Sequence, residues 1–172
     1  MKLLIIRHGE KENDEFSSNI TAIGREQAYK ISTVLKNQNI SRIYTSSNPR
    51  SIQTGKIISE EMNLPFQTIA SIKELPREIF FKSKTEWTNE NKSLLNNIKE
   101  FLDDIIKRDE NVVLAMHAGF NRAVLSLLLN IPLEKTIHFT QDVGCINQLE
   151  FKEVYGKKIW CIKLLNSTHH LK

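Results

Sequence analysis

The chain has 172 residues, enough for one domain with a sizeable core, and its 40% hydrophobic and 26% charged content is that of a water-soluble globular protein. A net charge of +4 suits an acidic substrate or nucleic acid, but lysines scattered over solvated faces account for it better, and no long run of like charges marks a nucleic-acid-binding tail. Two cysteines, Cys145 and Cys161, are too few for a disulfide framework and lack zinc-motif spacing; lying in apolar stretches, both read as buried free thiols.

The chain opens on Lys2 and the run Leu-Leu-Ile-Ile, which Arg7 stops. That run is too short for the apolar centre of a signal peptide, and no later stretch could span a membrane, so a cytoplasmic protein with no membrane partner is expected. The run reads instead as a buried strand over 2–6. Thr21 is placed to cap a helix reaching about residue 37, with Ile23, Ala28, Ile31, Val34 and Leu35 to one side. A strand over 40–44 follows. Asn48-Pro49 then starts a helix that runs to residue 62. A strand is predicted over 66–72. The spacing of Leu94, Leu95, Ile98, Phe101, Leu102, Ile105 and Ile106 predicts a helix over about 90–107. A buried strand over 112–116, a helix over 119–129 and two strands over 145–151 and 159–164, turning at Tyr155-Gly156, complete the chain.

Strand and helix alternate, which predicts a single α/β domain over 1–172: a three-layer α/β/α sandwich with a mostly parallel central sheet and helices on both faces. The late hairpin can add an antiparallel pair. In such sheets sites lie beyond the C-terminal strand ends. There the sequence places Arg7-His8-Gly9, then Thr45 to Arg50, then Glu74, then His117-Ala118-Gly119. Arginine forks match phosphate oxygens, a helix start adds backbone N–H groups, and a neutral imidazole can attack phosphorus. Nearby cations would hold that imidazole neutral. The picture is a phosphoryl group held by Arg7, Arg50 and His117, with His8 as nucleophile and Glu74 as proton donor.

These segments resemble the histidine phosphatase superfamily, the phosphoglycerate mutase-like proteins. Arg7-His8-Gly9-Glu10 is similar to the family signature, and Thr21-Ala-Ile-Gly24-Arg-Glu-Gln27-Ala28 to its helix opening. The stretch from Tyr44 to Thr54, carrying Arg50, resembles the second arginine motif, and Ile72-Lys-Glu74-Leu75 the acidic segment. Met116-His117-Ala118-Gly119 resembles the second-histidine motif, with Ala118 in place of the usual glycine, and the stretch from Asn166 to Leu171 a common ending. The resemblance implies phosphorylation of His8, phosphoryl binding by Arg7, Arg50 and His117, and acid/base work by Glu74, with no metal or other cofactor. Glu78 competes with Glu74, which fits the spacing from the preceding strand better. Asn13 and Asp14 compete for the family's asparagine after the signature, and Thr21 and Ser46 are further polar candidates near the site.

Three functions follow as expectations. The first is a metal-independent phosphatase acting on a phosphorylated small molecule or a phosphoprotein. The second is a mutase returning the phosphoryl group to its substrate, which needs a closed, water-excluding pocket. The third is a non-catalytic binder of phosphorylated ligands. Only about fifteen residues separate Glu74 from the helix near 90. Such a spare lid, with Arg77, Lys82 and Lys84, favours hydrolysis. Phe80, Phe81 and Trp87 in that segment are candidates either to contact substrate or to join the core.

Overall fold

A computed structural model describes residues 1–15 and 17–172. Its strands are β1 (Lys2–Arg7), β2 (Arg42–Ser46), β3 (Phe66–Ile69), β4 (Val112–Met116), β5 (Ile146–Val154) and β6 (Lys157–Ser167). Its helices are α1 (Ala22–Leu35), α2 (Pro49–Met62), α3 (Asn89–Arg108) and α4 (Ala118–Leu129), with short 3-10 turns at Arg77–Phe80, Lys84–Glu86, Leu133–His138 and His169–Leu171. The strands form one sheet in the order β3-β2-β4-β1-β5-β6. The pairings β2–β3, β2–β4 and β1–β4 are parallel, while β5 runs antiparallel to both β1 and β6. This is the mostly parallel α/β sandwich that the alternation predicts.

The two cores follow from strand alternation. Leu3 and Ile5 of β1, with Val112, Leu114 and Met116 of β4, face α3 and α4 and pack with Ile98, Leu102, Ile105 and Phe120. Leu4 and Ile6, with Ile43 and Val113, face α1 and α2 and pack with Ile31, Leu35 and Ile58. Both faces are buried, so the central strands read as continuous apolar runs.

Local chemistry sets the boundaries. Thr21 caps α1 by accepting the Gly24 N–H, and Thr88 caps α3 by accepting that of Asn91. Pro49 occupies the first turn of α2, and left-handed residues Asn63, Asp109 and Asn130 end α2, α3 and α4. The hairpin turns on Tyr155 and Gly156 at φ 50° and 74°, the pair of positive angles that a tight hairpin of this hand requires.

Several boundaries differ from expectation. β2 lies over Arg42–Ser46 rather than 40–44, α1 stops at Leu35 rather than about 37, and β5 runs on to Val154 rather than 151. β3 and β6 differ for physical reasons. β3 ends at Ile69, opposite Ser46, the last residue of its one neighbour β2. Beyond it the chain has no ladder to join and turns, with Ile72 N donating to Ile69 O at 3.2 Å. β6 is longer than expected, reaching from Lys157 to Ser167 along β5. β6 is also the sheet edge, so Cys161 is half-buried rather than buried, while Cys145 is buried as expected; neither forms a disulfide. No helix among the described residues is long and apolar enough to cross a membrane.

Candidate active site

β2, β4 and β1 are neighbours at the centre of the sheet, and their C-terminal ends deliver Ser46, His117 and Arg7-His8 to one place. His8 N donates to Met116 O at 2.9 Å, and Gly144 N donates to His8 O at 3.2 Å, so the residue is pinned between two adjacent strand ends. Gly9 N donates to Thr54 Oγ1 at 3.0 Å, and that hydroxyl donates to Arg50 O at 2.7 Å. Thr54 therefore ties the turn after His8 to the helix that carries Arg50. A side chain at Gly9 would strike the backbone of Gly24, the point where α1 abuts this turn.

The His8 ring is buried. Its Nδ1 lies 2.8 Å from Gly9 O, and Arg50 Nε donates to its Nε2 across 3.2 Å. The first contact fixes the tautomer: Nδ1 carries the proton and Nε2 the lone pair. Burial, then the charges of Arg50 and Arg7, push the His8 pKa down from 6.5 to about 3. The imidazole is neutral at physiological pH, with its Nε2 lone pair directed at a guanidinium.

His117 stands at the N-cap of α4, fully buried. Its ring is edge-on to that of His8, centroids 5.3 Å apart. Ser46 Oγ lies 2.6 Å from its Nε2, and Glu74 Oε2 lies 3.4 Å from its Nδ1. That Nδ1 forms no hydrogen bond among the described residues. Burial, then His8 and Arg50, hold the His117 pKa well below the usual value. Glu74 accepts the Gly119 N–H at 2.8 Å through Oε1. Burial pushes its carboxyl pKa up, against the opposing pull of that amide and of Arg50 and Arg7. Arg7 donates through Nη1 to Gln141 O at 2.6 Å, and its buried Nε meets no hydrogen-bond partner among the described residues.

The structure thus brings together His8, Arg7, Arg50, His117 and Glu74, along with Ser46 and the first residues of α4, Ala118 included. Glu78 is exposed on its 3-10 turn and makes none of the contacts that Glu74 makes. Asn13 and Asp14 are both exposed: Asn13 Oδ1 accepts the Glu15 N–H, and Asp14 pairs with Lys11 Nζ at 2.6 Å. Thr21 serves α1, with its hydroxyl also donating to Glu10 Oε2 at 2.6 Å. Phe80 joins the main core, Phe81 is 69% exposed, and Trp87 is half-buried with its Nε1 donating to Lys82 O. Two residues at the site escape a reading by chemical type. Thr54 reads as a packing residue, although its place four residues after Arg50 in the arginine motif is a signal. Gln141 acts through a backbone carbonyl, which no residue pattern reports.

A model of the histidine phosphatase superfamily (branch 1) matches residues 3–86 and 81–166, nearly the whole chain. The chain belongs to the histidine phosphatase superfamily. Among members of that superfamily, it is 22% identical to the adenosylcobalamin/alpha-ribazole phosphatase of Escherichia coli (strain K12), over 97% of this chain and 96% of that one. Two solved structures share the histidine phosphatase fold. One is a mycobacterial glucosyl-3-phosphoglycerate phosphatase, at a TM-score of 0.80 and 17% identity over 97% of this chain and 99% of that one. The other is the phosphoserine phosphatase of Entamoeba histolytica, at 0.79 and 20% over 99% of each chain.

Proposed function

We propose that this protein is a phosphatase that hydrolyses phosphate monoesters of small molecules through a phosphohistidine on His8. The observation that carries the reading is the His8 ring: Nδ1 tied to Gly9 O, Nε2 unprotonated and held 3.2 Å from Arg50 Nε. A nucleophile is needed in that form, and a guanidinium at that place suits the phosphoryl oxygens around it.

In the first step Nε2 attacks phosphorus, and the bond from phosphorus to the ester oxygen breaks. Glu74, whose pKa is raised by burial, gives its proton to the departing alkoxide. In the second step Glu74, now a carboxylate, takes a proton from water as the water oxygen attacks the phosphohistidine. His8 leaves with its lone pair restored, and inorganic phosphate departs. Arg7 and Arg50 offset charge on the non-bridging oxygens throughout, where most of the assistance to phosphoryl transfer resides, and neutral His117 adds a hydrogen bond through its N–H. The short segment between Glu74 and α3 favours water as the acceptor over return of the phosphoryl group to the substrate. The phosphatase names of the three relatives described above support the same choice, while a probable phosphoglycerate mutase of Yersinia enterocolitica matches only 44% of the chain. The relatives named for phosphoserine and glucosyl-3-phosphoglycerate support small phosphorylated metabolites as the substrate class.

The test is phosphate release from p-nitrophenyl phosphate, with and without chelator, for wild type and His8→Ala. Chelator-resistant turnover that is absent from the folded variant supports the reading. Equal turnover by the two proteins overturns it.

A further inference from the structure

A cluster of buried amides lies behind Arg7, outside the groups given a chemical role. Gln141, whose carbonyl receives Arg7 Nη1, sits in the irregular stretch between the 3-10 turn Leu133–His138 and β5. Such a stretch has no ladder to hold a carbonyl in place. Its side chain supplies the hold instead. Gln141 Oε1 accepts from Asn121 Nδ2 at 2.9 Å and from Asn147 Nδ2 at 2.8 Å, while Gln141 Nε2 donates to Asn147 Oδ1 at 3.0 Å.

The three residues are 4%, 0% and 0% exposed for Gln141, Asn121 and Asn147. Asn121 stands on α4, in the turn that His117 caps. Asn147 stands on β5, donates to Ile5 O of β1 at 3.1 Å, and accepts the Asn166 N–H at the end of β6 at 2.8 Å. The cluster therefore joins α4, β1, β5 and β6 at one point. Buried amides are costly unless paired. Both polar atoms of the Gln141 and Asn147 amides are paired, which enforces one arrangement of these two, while Asn121 Oδ1 has no hydrogen-bond partner among the described residues. The arrangement enforced here places one acceptor against the Arg7 guanidinium, a group on a flexible stem that would otherwise sample several rotamers.

We infer that Gln141, Asn121 and Asn147 are positioning residues that set the affinity for the phosphoryl group by holding Arg7. The inference rests on the reading of Arg7 as a phosphoryl-binding group. It is tested with the dissociation constant for inorganic phosphate, measured by titration calorimetry on wild type, Gln141→Ala, Arg7→Ala and the double variant.

Gln141→Ala keeps the backbone carbonyl and removes its clamp. It should weaken phosphate binding about tenfold, the worth of one charge-assisted hydrogen bond, and by less than about twofold once Arg7 is already alanine. Asn121→Ala is expected to show the same dependence on Arg7 and replaces Gln141→Ala if the latter fails to fold. An equal loss in both backgrounds, or no loss beside intact Arg7, overturns the inference. Phosphate binding by Arg7→Ala as tight as wild type overturns the reading of Arg7 itself, and the inference with it.

Discussion

Arg50 Nε points its hydrogen at His8 Nε2 across 3.2 Å, so the lone pair of the proposed nucleophile and the guanidinium proposed to bind phosphate occupy the same few ångströms. An incoming phosphoryl group has to come between them, exchanging one hydrogen bond for contacts to both partners. Arg50→Ala should therefore lower kcat/KM for p-nitrophenyl phosphate by roughly 10²–10³, the usual loss for one transition-state donor. Steady-state kinetics with a thermal-unfolding control checks this, and a loss confined to stability would contradict it.

Glu74 should matter in proportion to how poor the leaving group is. Glu74→Gln keeps an acceptor for the Gly119 N–H but cannot give a proton. The expected loss is about 10²–10⁴ for an alkyl phosphate and less for p-nitrophenyl phosphate, whose leaving group needs little protonation. Parallel kinetics on the two substrates reads the difference. Equal losses would remove Glu74 from the acid role.

The approach of α4 to Glu74 leaves no room at Gly119. A Cβ there would stand 2.5 Å from Glu74 Oε1 and 3.1 Å from Leu75 Cβ and O. Gly119→Ala should displace the carboxylate and reduce kcat by up to about a hundredfold, the scale of an ångström's misplacement, with the fold retained. Unchanged kcat in a folded Gly119→Ala protein would show that the carboxylate's position is not critical.

Burial of neutral His8 has a consequence for stability. The unfolded chain binds a proton at this group near pH 6.5, the folded chain only near 3. Stability contributed here is fully present above pH 6.5 and is lost as pH falls toward 3. His117 acts in the same direction. Glu74 acts oppositely, since its raised folded pKa stabilises at low pH and that contribution is lost as pH rises through the folded value. Denaturant unfolding at pH 6.5 and at about pH 5 should therefore show wild type losing more stability than His8→Ala over that interval. Equal losses would mean that His8 is not held neutral in the folded state.

Much of the sandwich and the gathering of His8, Arg7, Arg50 and His117 was legible in the sequence, because each sits at the end of a strong apolar run or the start of a well-capped helix. Glu74 was legible only as one of two carboxylates. What separates it from Glu78 is the Gly119 amide, a contact across 45 residues of chain. The end of β3 was not legible, since it depends on where β2 stops rather than on the β3 residues. Thr54 and Gln141 were not legible either. One acts by bridging two motifs in space, and the other through a main-chain oxygen.

The most direct measurement is the intact mass of the protein mixed rapidly with p-nitrophenyl phosphate and quenched in alkali, where phosphohistidine survives. Wild type should gain the mass of one phosphoryl group, mapped by peptide analysis to His8, and His8→Ala should gain none. A transient phosphoryl group on another residue, or its formation in His8→Ala, would contradict a phosphohistidine mechanism on His8.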